Sequence, residues 1–163
     1  MDYHVRNAKM EDLPRIEEIY AFARDFMARN GNPNQWGKSE PAHEQLVQDI
    51  MEERLFVIAA QDDFHGVFFF DIGQDPTYAY IENGAWRSNA TYGTIHRIAG
   101  DGSGGILGAA VSFAKNNIDH IRIDTHRDNH IMQQALAKHG FQKRGIIYVE
   151  DGSARIAYDL ISE

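Results

Sequence analysis

Five glycines fall among the fifteen residues from His96 to Ala110, HRIAGDGSGGILGAA, at positions 100, 102, 104, 105 and 108. Glycine enters the φ > 0 regions without a Cβ clash and lets a ligand approach the main chain closely. A run of such residues can turn successive N–H groups into one concavity, a nest that binds anions without formal charge. No lysine or arginine follows Arg97 in the stretch, so an anion held here is held by backbone donors. After the loop, Ile106, Leu107, Ala109, Ala110, Val111, Phe113 and Ala114 recur as a helical apolar pattern. A helix N-terminus adds unpaired N–H groups and the positive end of the macrodipole. Before the loop, Tyr92 to Ala99 is rich in β-branched and aromatic residues and reads as a strand. Strand, glycine loop and helix, in that order, form a layout that binds phosphates and pyrophosphates.

Two familiar phosphate binders fit poorly. The loop lacks the GK[ST] of a P-loop. Gly100, Gly102 and Gly105 match GxGxxG, with Asp119 near the place of a ribose-binding acid. A doubly wound dinucleotide fold needs several further βαβ units, however, and only 58 of the 163 residues follow Gly105. The last of them read as a hairpin rather than a crossover, because EDGS stands between two apolar runs.

The elements that must position this loop can be read in outline. Asp2 to Ala8 alternates as a strand, and Asp12 can cap the helix that follows, with Pro14 in its first turn. Leu13, Ile16, Tyr20, Ala23 and Met27 recur at helical spacing until NGNP at Asn30 to Pro33 stops them. NPNQWGKSEP is a loop carrying Trp36, and Leu46, Val47, Ile50 and Met51 face one side of a second helix. RLFVIAAQ is a strand, DDFHG a turn and VFFFDIG the returning strand. TYAYI reads as a further strand or extended edge, and NGAWRSNA as turn-rich chain. The helix after the glycine loop runs to about Asn117, HIRIDTH is a strand, and DNHIMQQALAKHGF is a helix ending at Gly140. The expectation is one domain over residues 1–163, with a parallel crossover at the glycine loop inside an otherwise antiparallel sheet and helices on its faces.

Composition narrows the classes. There is no cysteine, which removes disulfides and thiolate chemistry and favours a cytoplasmic location. No signal peptide or membrane-spanning run is visible. The net charge of −8 lacks the basic footprint that nucleic acid requires, and it is compatible with a cationic or amine substrate. Asp124 and His126 make no metal site by themselves, since no third ligand is spaced for them.

The ordered set of segments resembles the GNAT superfamily of acetyl-CoA-dependent N-acetyltransferases over nearly the full length. VRNAKMEDLPRIEEIYAFAR is similar to that family's first strand and helix, and IHRIAGDGSGGILGAAVSFAK to its central strand, pyrophosphate loop and helix. IRIDTHRDNHIMQQALAKHGFQKRGIIY is similar to the next strand, the helix opening with Asn129 and the closing Gly140–Phe141. The pairing of NPNQW, HRIA and RIDTHRDN is similar to a bacterial subgroup.

The resemblance implies an α/β (α+β) fold with a mixed, mostly antiparallel sheet, a central splayed parallel strand pair and helices on both faces. It implies an acyltransferase in which a substrate amine attacks acetyl-CoA directly. The pyrophosphate would rest on N–H groups of Gly102, Ser103, Gly104, Gly105, Ile106 and Leu107. The pantetheine arm would lie along Ile98, Ala99 and Gly100, where the strands part and a main-chain N–H would face the oxyanion, and Asn129 would touch cofactor or ordered water. His96 is the first candidate base, because histidine titrates in the working range. Strict alternation would put Thr94, His96 and Ile98 on one face and Ile95 and Arg97 on the other. Tyr148 and Tyr92 are candidate acids, because the position the family often gives to tyrosine is Leu136. Trp36, Trp86 and Glu82 are candidates for the acceptor pocket. The partner is a small-molecule or amino-group acceptor, with no nucleic acid and no membrane, and homodimers are common in the superfamily. Leu136 and the unusual loop also leave a second reading, a non-catalytic acyl-CoA-binding or sensor protein on the same fold.

Overall fold

The computed structural model describes residues 2–162. Its elements run β1 (His4–Asn7), α1 (Leu13–Arg29), α2 (His43–Met51), β2 (Leu55–Ala60), β3 (Asp63–Ile72) and β4 (Gly93–Gly100). They continue with α3 (Ile106–Lys115), β5 (His120–Thr125), α4 (His130–Lys138), β6 (Gln142–Tyr148) and β7 (Ala154–Ile161). The seven strands form one sheet in the order β1-β2-β3-β4-β5-β7-β6. Every neighbouring pair is antiparallel except β4 and β5, the two strands that flank the glycine loop and α3. The mixed sheet with a parallel crossover is therefore the one expected from the chain order.

Strand alternation sorts the apolar residues onto two faces. Leu55, Val57 and Ala59 of β2, Val67 of β3 and Ala99 of β4 meet Ile16, Ile19, Tyr20 and Ala23 of α1 and Leu46 and Ile50 of α2. On the other face Ile58, Phe68, Phe70, Ile95, Ile121 and Ile123 meet Ala110, Val111 and Ala114 of α3 and Leu136 of α4. Phe113 of α3 sits 4.8 to 5.8 Å, centroid to centroid, from Phe56, Phe68 and Phe70. A third cluster, Tyr78, Tyr92, Ile147 and Ala157 with Trp86 against them, ties the chain between β3 and β4 to β6 and β7.

Several local expectations need correction. DDFHG is not a turn: β3 already begins at Asp63, and the reversal is confined to residues 61–62, where Gln61 takes φ +57°. TYAYI forms no strand. Pro76–Tyr78 is a 3-10 turn, and the segment reaches the sheet only through a bridge between Glu82 and Ile146. Asp12 precedes α1 but does not cap it. Its carboxylate accepts instead from Arg6 at 2.8 and 3.1 Å and from the Lys9 N–H at 2.8 Å.

The largest departure lies in β4. Val67 pairs with Ala99 and Phe69 with His96, so Arg97 and Ile98 together oppose the single residue Phe68. This is a β-bulge, with Arg97 held at φ +52°. The extra residue shifts the alternation. His96 packs against Phe69 and Arg97 lies over the same ring, while Ile98 joins the α3 side. His96 and Arg97 thus share a face, and His96 and Ile98 do not.

Candidate active site

The sheet opens at its parallel pair. β4 and β5 pair only at Gly93 with Ile121 and Thr94 with Arg122. Beyond Thr94 the two strands diverge, so the backbone groups of β4 that point towards β5 have no strand to bond. The opening starts earlier along β4 than the Ile98–Gly100 stretch where it was expected. A cleft of about 630 Å³ occupies the gap and is lined from both faces of the sheet. Ile98, Ile123 and Met132 line its apolar part, and Asp49, Asp75, Asp124, Glu150, Arg97 and Arg155 are among its charged residues.

His96 projects into this cleft from the bulge. Its Nε2 lies 2.7 Å from Oδ2 of Asp75, and its Nδ1 lies 3.7 Å from Oδ2 of Asp124. The rings of Phe69 and Tyr78 flank it at 5.7 and 5.8 Å. Asp75 is itself fixed. Its Oδ1 accepts from the Thr77 N–H at 2.9 Å and the Thr77 hydroxyl at 2.6 Å, and its N–H donates to the Tyr92 hydroxyl at 2.7 Å. Burial alone would raise the Asp75 carboxyl, but the bond and charge of His96, with the two Thr77 bonds, bring it down to about 2. Asp124 accepts from the Tyr78 hydroxyl at 2.7 Å, and burial beside that carboxylate pushes the Tyr78 phenol up, so it stays protonated and keeps donating.

Asp75 is ionised at neutral pH in this setting. Each oxygen can then only accept, so the hydrogen between His96 and Asp75 belongs to Nε2. Nδ1 is left with its lone pair on the side of Asp124. A lone pair beside a carboxylate is an arrangement that can hold an ammonium and take its proton.

The bulge is held from both sides. Arg97 donates to Asp49 of α2 from Nε and Nη2 at 3.1 and 2.8 Å, and its carbonyl accepts from the Tyr20 hydroxyl of α1 at 2.6 Å. These bonds hold a non-glycine residue at positive φ, where the conformation alone costs about 1–2 kcal/mol.

The glycine loop follows at the end of β4. Gly102 and Gly105 take φ +96° and +84°, and Gly105 precedes α3 in the left-handed region. Gly104 faces open space. Among the described residues, nothing accepts from the N–H groups of Ile106, Leu107 and Gly108, and α3 has no side-chain cap. The donors needed for an anion are therefore available there. Two refinements to the sequence reading appear. The Ser103 N–H is already committed to Asp101 Oδ1 at 3.0 Å. The loop also has a cation nearby, supplied from elsewhere in the chain: Arg15 meets Asp101 at 3.0 Å and offsets its charge, while His65 Nδ1 lies 2.8 Å from the same carboxylate.

The predicted site residues separate into two groups. His96, Ile98 and Trp36 line the cleft, with Trp36 edge-on to Tyr20 at 5.5 Å. Ala99 and Gly100 follow along β4, with Gly100 pressed against Ile106. Asn129 caps α4 by accepting from the Met132 N–H at 3.1 Å, and its amide donates to Gln35 at 3.0 Å. The others lie elsewhere. Tyr92 is buried below Asp75 and outside the cleft lining. Tyr148 is exposed on β6 and donates to Glu82, which also accepts from Tyr80. Trp86 donates to the Tyr78 carbonyl at 3.0 Å and covers Arg122. Leu136 is fully buried in the core rather than facing the gap. Asp75, Asp124 and Asp49 were missed by sequence reading. The Asp75–Pro76–Thr77 turn signal was there to be read, but nothing local ties it to His96.

No family model matches the sequence, and no curated protein matches it. Solved structures do. The chain is similar to a GNAT-family acetyltransferase from Streptococcus agalactiae 2603, with a TM-score of 0.87 and 27% identity over 99% of this chain and 96% of that one. A GNAT-family acetyltransferase from Listeria monocytogenes 4b F2365 superposes with a TM-score of 0.71 at 17% identity, covering 98% and 94%. An N-acetyltransferase from Staphylococcus aureus Mu50 superposes at 0.62 with 19% identity, covering 99% of each chain. The latter two bear on the fold alone. With the split parallel pair, the bulged β4 and the glycine loop already in place, the chain has the fold of the GNAT acetyltransferases and is similar to one of them over nearly its full length.

Proposed function

We propose that this protein is an N-acetyltransferase that moves an acetyl group from acetyl-CoA to an amine. The observation that carries the reading is the divergence of β4 and β5 after two paired positions, with a glycine loop at one side and His96 in the gap. The donor set fits the cofactor. The free N–H groups of Ile106, Leu107 and Gly108 and the open ground at Gly104 suit a diphosphate, and the unpaired edge of β4 from Ile98 to Gly100 suits an amide-bearing arm. Acetyl-CoA would supply an activated acetyl thioester at that edge.

The chain's own residues do the rest. Asp124 attracts the ammonium of the acceptor, and Nδ1 of His96 takes its proton. Asp75 holds the ring through Nε2 and stabilises the imidazolium that results. Among the described cleft-lining residues there is no tyrosine, so the proton on His96 is the one available for the departing sulfur. Ile98, Ile123, Met132 and Trp36 exclude water from the meeting point.

Purified protein with acetyl-CoA and a panel of primary amines should release free thiol in an amine-dependent way, at about 1–10³ per second for good acceptors. Tight acetyl-CoA binding without thiol release, across the panel and from pH 6 to 9, would favour the sensor reading instead.

A further inference from the structure

Arg155, at the start of β7, has an unusual charge balance. It is 7% exposed, it lines the cleft, and no carboxylate among the described residues lies within 4.0 Å of it. Its guanidinium donates only to neutral oxygens. Nη1 reaches Ser153 Oγ at 2.9 Å and the Ala154 carbonyl at 3.1 Å, and Nη2 reaches the Gln35 carbonyl at 3.1 Å. The other arginines of the cleft differ. Arg97 is paired with Asp49 and Arg54 with Glu52 and Asp71. Arg122, equally buried but outside the cleft, has its charge met by the Trp86 and Tyr92 rings at 4.0 and 3.8 Å. Asp151, the carboxylate nearest in sequence, accepts from the Ser153 N–H and hydroxyl through one oxygen.

A buried guanidinium without an anion is costly, and its planar fork matches a carboxylate in two parallel bonds. We infer that Arg155 binds a carboxylate of the acceptor, so that the substrate is an amino acid or a similar molecule carrying both an amine and a carboxylate. The inference rests on the acetyltransferase reading and deepens it. The placement supports it. Thr125 pairs with Ile156, so Arg155 stands one strand across and two residues beyond Asp124's partner Ala157. With about 4.8 Å between strands and about 3.3 Å per residue, the Cα atoms of Asp124 and Arg155 are roughly 8 Å apart. The guanidinium and the Asp124–His96 pair are then within reach of the two ends of one small molecule. The Gln35 carbonyl, from the loop between α1 and α2, fixes the fork over the gap, and Gln35 Oε1 is anchored in turn by Asn129 and Asn32 at 3.0 and 2.9 Å.

The test compares each of the common α-amino acids with its carboxamide and its decarboxylated amine, as acceptors and as calorimetric ligands without acetyl-CoA. For the best amino acid, the wild-type protein should favour the carboxylate form over both analogues by at least about tenfold in kcat/KM and in Kd. Arg155→Gln should erase that preference, lowering kcat/KM for the amino acid about 10²-fold while leaving the decarboxylated amine within about threefold. Arg155→Lys, which keeps the charge and loses the fork, should fall between. Equal use of all three forms by the wild-type protein overturns the inference. So does an equal loss on all three in both variants, with unfolding curves unchanged. If no amine is acetylated, the acetyltransferase reading fails by itself, and calorimetry still decides whether a carboxylate is bound at Arg155.

Discussion

His96 is held by contacts that a substitution can remove singly. Its ring is fixed by Asp75 at one nitrogen, and the other nitrogen faces Asp124 across 3.7 Å. General-base catalysis by such a group contributes about 10²–10⁴-fold. His96→Gln should therefore lower kcat by about 10²-fold or more. The KM for acetyl-CoA should change little, since His96 makes no contact with the glycine loop. An unchanged kcat would remove His96 from the chemistry. At this scale the sequence was partly informative. His96 could be found because it stands next to the glycine loop. Asp75 and Asp124 could not, because the link from a turn 21 residues upstream to a strand 28 residues downstream is made only by the folded sheet.

The β4 bulge shows the limit of pattern reading for a whole element. Alternation through Thr94, Ile95 and His96 is correct, and it then fails because Arg97 takes φ +52°. No local signal marks this, since arginine has no preference for that region. The cause is tertiary: Asp49 from α2 takes the guanidinium and Tyr20 from α1 takes the carbonyl. Breaking a fully buried ion pair by removing one partner costs about 3–5 kcal/mol. Asp49 is almost fully buried but Arg97 is about a quarter exposed, so Asp49→Ala should cost nearer 2 kcal/mol. The urea midpoint should fall accordingly with the m-value unchanged. kcat should fall as well, because His96 leaves the same bulge. Full activity in a destabilised Asp49→Ala would mean that the bulge does not set the histidine.

At the scale of the whole molecule, the order of strands and helices was legible because helical and alternating apolar patterns set which residues can be buried. The run from Gly73 to Tyr92 was not, since it lacks a period and folds by docking Tyr78 and Trp86 onto β6 and β7. The global charge response follows from one buried and one half-buried histidine. Burial lowers His120, reinforced by Arg122 and Arg87 and opposed by Asp159. Burial and Arg155 lower His126 in the same direction. Folded-state values below the unfolded value of about 6.5 mean that the unfolded chain binds these protons more readily. Their contribution is thus complete above about pH 6.5 and is lost as the pH falls below it. Thermal midpoints should decline from pH 7 to pH 5, and His120→Gln should flatten that decline if it folds comparably. A midpoint that rises on acidification over this window would reverse the sign assigned to both groups.

The central claim is that acetyl-CoA lies in the gap between β4 and β5 with its diphosphate on the glycine loop. Isothermal titration of acetyl-CoA into the wild-type protein and into Gly105→Val tests it most directly. A β-branched residue at φ +84° is strained, and its Cβ would press on Tyr3 at 3.3 Å. The account predicts one site per chain with a Kd between about 1 μM and 1 mM, weakened at least about tenfold in the variant at an unchanged fold. No heat of binding in the wild-type protein, or equal affinity in the two, would contradict it.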